Sequence, residues 1–274
     1  ASGFLPGSVQ GTAIGTAGMK VSEIRKEPIE YLVNAGLNRE QQRYELDMIQ
    51  AINRKHQEMW KLDDELEPRI PSSALGFRLH AEAAKVFDLS AESEATKDLY
   101  GLDDPKTADF GWQCLLARRL AEADVRFIQC THSYKWDQHS DLFTKHTENA
   151  GEVDKPIAGL LKDLKARGLL KDTLVIWSGE FGRTPVSQGG NGRDHNPYGY
   201  SLFMAGGGTK PGFAYGATDE FGYHAVENRM HIHDFHATVL ALLGLDHLRL
   251  TYRYSGRDFR LTDTAGNVHT GIFA

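Results

Sequence analysis

Glu180, Arg183, Asp194 and His195 lie close together in Trp177-Ser178-Gly179-Glu180-Phe181-Gly182-Arg183-Thr184-Pro185 and Gly192-Arg193-Asp194-His195-Asn196-Pro197. A second acid and imidazole set, Asp137 and His139, stands in Trp136-Asp137-Gln138-His139-Ser140-Asp141. Nine of the 12 histidines fall between His132 and His247. Imidazole mixed with carboxylate is the usual ligand set of zinc, manganese or iron, whereas calcium and magnesium prefer all-oxygen shells. A guanidinium beside such a set can hold two oxygens of a phosphate or sulfate. Each pair also has a plainer reading. Asp137 can cap a helix beside an exposed His139, Asp194-His195 can belong to an ordinary turn, and Glu180 can simply neutralise Arg183.

The elements that must position these residues are legible in the apolar pattern. Leu174-Val175-Ile176-Trp177 is a short apolar run of the kind that forms a buried parallel strand, and Val125 to Thr131 is another. Both empty into polar loops, and ligand sites of open α/β sheets sit where such strands end. A helix through Leu115, Leu116, Leu120 and Ala121 precedes the first run. A second helix, through Ile157, Leu160, Leu161 and Leu164, precedes the next. This alternation predicts a βαβ unit with a right-handed crossover. Pro156 either starts the second helix or kinks a longer one that begins near Ser140. A third strand is expected at Tyr200 to Ala205, before the turn Gly206-Gly207-Gly208. A last helix is expected from about Phe235 to Leu243, with Asp234 as its N-cap and Gly244 as its stop. His231, His233 and His236 then read as residues of a helix entrance rather than ligands.

Two regions follow from texture. Residues 1–108 form a loop-rich opening and a helical segment in which Leu46, Ile49, Ile52 and Met59 recur at near-helical spacing, with His56 and His80 at its surface. Residues 109–274 form the sheet core with the strand-end site, and the two read as parts of one continuous domain.

With 274 residues and 41% hydrophobic content, the chain can bury a substantial core. A net charge of −6 gives no basic face for nucleic acid. No run approaches the ~18 apolar residues of a membrane span, and Ala1 to Gly7 lack the pattern of a signal peptide. The two cysteines, Cys114 and Cys130, are too few for a disulfide framework and read as buried apolar fillers.

Together with Ala205-Gly206-Gly207-Gly208 and Gly256-Arg257-Asp258-Phe259-Arg260-Leu261-Thr262-Asp263, these motifs make the whole chain resemble the family catalogued as domain of unknown function 1501. The resemblance implies a bacterial sulfatase-like protein of the alkaline-phosphatase superfamily. It also implies a mainly parallel sheet flanked by helices, with a helical insert, and a periplasmic or other extracytoplasmic address. The implied activity is hydrolysis of phosphate or sulfate esters, on a small molecule or glycan, with one or two divalent ions, zinc or manganese. By order, one ion falls to Asp137, His139 and His195. The Asp-His pair of the other falls on Glu180 and Phe181, where a phenyl ring replaces the imidazole. The second site is therefore altered, served by Asp194 or another residue, or empty. Arg183 is the expected clamp on the reacting group.

The resemblance also places the first metal-binding aspartate and the nucleophile before Ala1, so the 274-residue chain by itself is expected to hydrolyse aryl esters poorly. Two other classes remain open: a non-catalytic binding or scaffold protein with a degenerate metal site, and a metal-dependent hydrolase of another bond.

Overall fold

The computed structural model describes residues 11–15, 19, 21–26, 28–29, 36–59, 85–132 and 135–274, in two compact units, Ala1–Glu94 and Ala95–Ala274. Within the first unit lie helices α1 (Val21–Ile24) and α2 (Arg39–Met59). Asn38 starts α2 through a reciprocal cap. Its carboxamide oxygen accepts the Gln41 N–H at 2.9 Å, and the Gln41 side chain accepts the Asn38 N–H at 2.9 Å, which satisfies two donors the helix itself cannot. Helical periodicity thus found the helix but not a buried face, since Ile49, Ile52 and Met59 are all exposed. His56 is half-buried. The continuation of the helical segment over 60–84, His80 included, lies outside the described residues.

Helix α3 (Glu94–Leu99) starts at the last residue of the first unit, and the second unit is built on α4 (Ala108–Glu122) and α5 (Leu142–Ala166). Phe110, Trp112, Cys114, Leu115 and Leu116 of α4 are buried, as are Val153 and Leu164 of α5. α5 is the longer of the two alternatives, a single helix that carries Pro156 inside it. Glycine permits the close contacts. A Cβ on Gly111 would stand 2.2 Å from the Tyr100 carbonyl oxygen, and one on Gly159 would stand 2.4 Å from that of Leu99.

A buried polar knot ties the layers together. Arg118, 2% exposed, faces Glu122 at 2.5 Å and Asp163 at 3.0 Å. Asp163 also accepts from Tyr100 Oη at 3.0 Å and Arg167 Nε at 2.7 Å. Burial and the Asp163 carboxylate push the Tyr100 hydroxyl's pKa far up, which keeps it a donor. Each charge has its counterpart, as buried charges require. The segment from Tyr100 to Thr107 therefore packs with the second unit, ahead of the expected change of texture at residue 109. Both cysteines are free. Cys114 is buried, with its thiol pushed up first by a hydrogen bond with Cys130 and then by burial, and Cys130 is half-buried.

Helices mixed with short strands are present as expected, but the strand pairing differs. Every pair among the described residues is antiparallel: β1 (Val175–Trp177) with β4 (Phe203–Ala205), β2 (Gly182–Gln188) with β3 (Gly192–Asn196), β5 (Ala217–Thr218) with β6 (Ala225–Glu227), and β7 (Thr251–Tyr254) with β8 (Arg257–Arg260). The expectation of a mainly parallel sheet is corrected on this point. Val125 to Thr131 joins no ladder, and Phe127 is 82% exposed. An apolar run has the length and composition of a strand, yet its periodicity carries no information about partner or direction. The glycine-rich stretch after Trp177 is likewise a hairpin rather than a loop. It turns at Gly189 and Gly190, whose φ values of 57° and 89° suit glycine.

The last helix, α6 (Ile232–Leu242), begins a few residues earlier than expected. His231 is its N-cap and accepts the His233 N–H, while Asp234 reaches back to accept the His231 N–H at 2.9 Å. The aspartate thus plays the third-residue part of the cap. Gly244, at φ 75°, follows the helix end as expected.

Candidate metal centre

Two backbone features bring distant parts of the sequence together. In the hairpin, Arg183 and His195 are cross-strand partners, so their side chains emerge on one face. Its turn then grips the loop that carries Asp137 and His139. Asn191 Oδ1 accepts the Asp141 N–H at 2.8 Å, and the Arg193 N–H donates to the Gln138 carbonyl at 3.0 Å. Gly192 lies directly against this loop, where an added Cβ would sit 1.9 Å from the His139 carbonyl oxygen.

Asp137, His139 and His195 converge as a result. Asp137 Oδ1, His139 Nε2 and His195 Nε2 form a triangle whose three edges are each 3.1 Å. Donors about 2.0–2.2 Å from a common tetrahedral zinc stand roughly 3.3–3.6 Å apart, so these side chains need to open only slightly to hold one. The donor chemistry fits too. Gln188 Oε1, which can only accept, lies 2.5 Å from His139 Nδ1. The ring therefore carries its proton on Nδ1 and turns the lone pair of Nε2 toward the triangle, the tautomer a metal ligand needs. His195 is held from its other side by Phe181, whose ring centroid lies 4.2 Å away. The three side chains are accessible, with exposures of 62, 41 and 45% for Asp137, His139 and His195.

Arg183 completes the arrangement. Its Nη2 donates to Asp137 Oδ1 at 2.7 Å and to the Trp136 carbonyl at 3.2 Å, while Nη1 is buried without a hydrogen-bond partner. Its ion-pair partner is thus Asp137. Glu180 is exposed and stands outside the triangle. Asp194 is also outside it: its carboxylate accepts the His195 N–H at 2.8 Å, and its own N–H donates to Thr184 Oγ1 at 3.1 Å, a local hairpin role. The contacts of Gln188, Phe181 and Gly192 have no signature in their residue types. The clue in the sequence is Gly189-Gly190, because a tight turn there sets Gln188 opposite Gly192.

The Asp137 carboxyl is held down at about 2, first by its hydrogen bond with Arg183 and then by that with His195. Its folded value lies below the ordinary 3.8. The stability it contributes is therefore complete above about pH 4 and is lost as the pH falls through 2. In metal-free protein, carboxyl carbon-13 NMR should place the Asp137 midpoint near 2, and Arg183→Ala should raise it toward 3.8. An unmoved midpoint would remove Arg183 as the cause. The contact at Gly192 supplies a further expectation. Gly192→Ala should force the His139 backbone away and cost about 1–3 kcal/mol in denaturant unfolding, with zinc affinity reduced in the folded protein. Wild-type stability would show that the loop yields freely.

Residues 1–273 match a family model described as a protein of unknown function, DUF1501. No curated protein and no solved structure matches the chain.

Proposed function

The chain belongs to the DUF1501 family, and from that premise we propose that it carries the metal centre of a sulfatase-like hydrolase of phosphate or sulfate esters. The observation that carries this reading is the convergence of one carboxylate and two imidazoles, drawn from one loop and from strand β3, with a guanidinium hydrogen-bonded to the carboxylate. Asp137, His139 and His195 would hold a divalent ion, zinc or manganese. When bound, such an ion polarises an ester oxygen and lowers the pKa of a coordinated water.

The residues of the chain perform the remaining tasks. Gln188 keeps the His139 Nε2 lone pair directed at the centre. Phe181 limits rotation of the His195 ring. Arg183 holds Asp137 ionised through Nη2, and its positive charge beside the centre would draw an oxygen of the reacting group more strongly as negative charge develops there. Exposure of the triangle suits a small-molecule or glycan ester that approaches from solvent. No helix among the described residues is long and apolar enough to cross a membrane. An extracytoplasmic address accords with the family resemblance.

The test is hydrolysis of aryl phosphate and aryl sulfate by the protein that bears this chain, before and after chelation. Turnover abolished by chelator and restored by zinc or manganese is expected. Metal-dependent cleavage of carboxyl esters or peptides alone would move the centre to another bond type, and bound metal without turnover on any ester would leave a binding protein.

A further inference from the structure

A half-buried polar chain runs from the residue before Asp137 to α5. His132 Nε2 is 2.7 Å from Glu152 Oε2 on α5, and His132 Nδ1 accepts the Trp136 indole N–H at 2.8 Å. An indole nitrogen can only donate. His132 Nδ1 is therefore the acceptor, and its Nε2 carries the proton given to Glu152. The direction of the chain, from Trp136 through His132 to Glu152, is thereby settled.

Further contacts join the same three elements. Lys135 pairs with Glu152, and its carbonyl accepts from both Asn149 on α5 and Gln138 in the ligand loop. His146 meets the Trp136 ring edge-on at 5.3 Å, and Phe110 of α4 meets His132 at 5.4 Å. His146, Asn149 and Glu152 recur every three residues, so α5 presents them on nearly one face. Burial separates this layer from the triangle: the side chains of His132 and Glu152 are 13 and 24% exposed, and Asn149 is 4% exposed. Burial opposes ionisation of Glu152, but Lys135 and His132 outweigh it and hold the carboxyl below its ordinary value.

We propose that Glu152 and His132 are positioning residues that fix the ligand-bearing loop through Trp136, the residue directly before Asp137. This inference rests on the metal reading given above. A loop whose ligands are about half exposed has little packing of its own to hold it, and three ligands bind together only if the loop is already in place. Partners hydrogen-bonded directly to a metal ligand typically contribute roughly 10- to 100-fold in metal affinity, and Glu152 and His132 act one residue further out, at the low end of that range.

The test uses the full chain and zinc alone, titrated against a chromophoric chelator well below the unfolding temperature. Glu152→Leu is expected to weaken zinc binding roughly 10-fold, the low end of the range for groups that orient a ligand. Glu152→Gln, which keeps an oxygen to accept from His132, should recover most of that loss. Trp136→Phe, which keeps the ring against His146 but loses the N–H, supplies the same test if Glu152→Leu does not fold. The Trp136 indole proton should also move upfield in the NMR spectrum of Glu152→Leu, a change that a general loss of stability does not produce.

Wild-type protein that binds zinc, with a folded Glu152→Leu or Trp136→Phe variant binding it equally well, overturns the positioning role alone. Wild-type protein that binds no zinc overturns the metal reading and the positioning role together. A zinc affinity that falls as far in Glu152→Gln as in Glu152→Leu also contradicts the relay, because the retained acceptor then does nothing.

Discussion

His195→Ala is expected to weaken zinc binding by at least ~100-fold, beyond the range of roughly 10- to 100-fold typical of residues that only orient a ligand. The substitution removes one corner of a triangle whose other two corners, Asp137 and His139, come from a single loop. With only that loop left, an ion keeps two adjacent donors, and structural or catalytic zinc sites rarely have fewer than three protein ligands. Folding should be little affected. His195 is 45% exposed at its side chain, and the hairpin register rests on backbone pairing from Gly182↔Asn196 to Gln188↔Gly192. Isothermal titration with zinc, alongside circular dichroism, checks both parts. Affinity within a few-fold of wild type in a folded variant would mean that the ion, if bound, sits elsewhere.

The second large effect is expected at Arg183. Arg183→Ala should lower metal-dependent ester turnover by roughly 100- to 1,000-fold, the usual cost of losing a cation or donor that stabilises developing charge. If the guanidinium only neutralised Asp137, an exposed pair would be worth ~0–1 kcal/mol, and turnover would change less than about tenfold. Arg183→Lys separates charge from shape. A lysine ammonium is a compact point charge without the planar fork that holds both Asp137 and the Trp136 carbonyl, so only partial recovery is expected. Steady-state kinetics on aryl phosphate or sulfate decide this. Full activity in Arg183→Ala would show that the residue holds Asp137 and nothing more.

Residue type and neighbourhood make Asp137, His139, His195 and Arg183 candidates in the sequence, and it is the order implied by the family resemblance that groups the first three. The helices are legible on their own. Leu115, Leu116 and Leu120 on α4 and Leu160, Leu161 and Leu164 on α5 repeat with the helical period, and that period is intrinsic to the segment. The partners of strands are not. Val175–Trp177 and Val125 to Thr131 look alike as sequences, yet the first pairs antiparallel with Phe203–Ala205 and the second stands outside every ladder among the described residues.

The same limit applies inside the site. Gln188 settles the tautomer of His139 from 49 positions further along the chain, and Glu152 reaches His132 from another element. Neither type of residue announces such a role, since a glutamine at a strand end or a glutamate on a helix most often faces water. Glu180 shows the reverse. Its flanking glycines and its place after a strand make it a candidate and the resemblance gives it a ligand's part, while the structure leaves it exposed and outside the triangle of Asp137, His139 and His195.

The most direct measurement is the metal content of the purified chain, by elemental analysis after equilibration with zinc and removal of loosely held ions. About one zinc per chain is expected from a three-ligand centre, and none in His195→Ala prepared in parallel. Wild-type protein that retains no divalent ion, or a His195→Ala variant that retains as much as wild type, would contradict a metal centre at Asp137, His139 and His195.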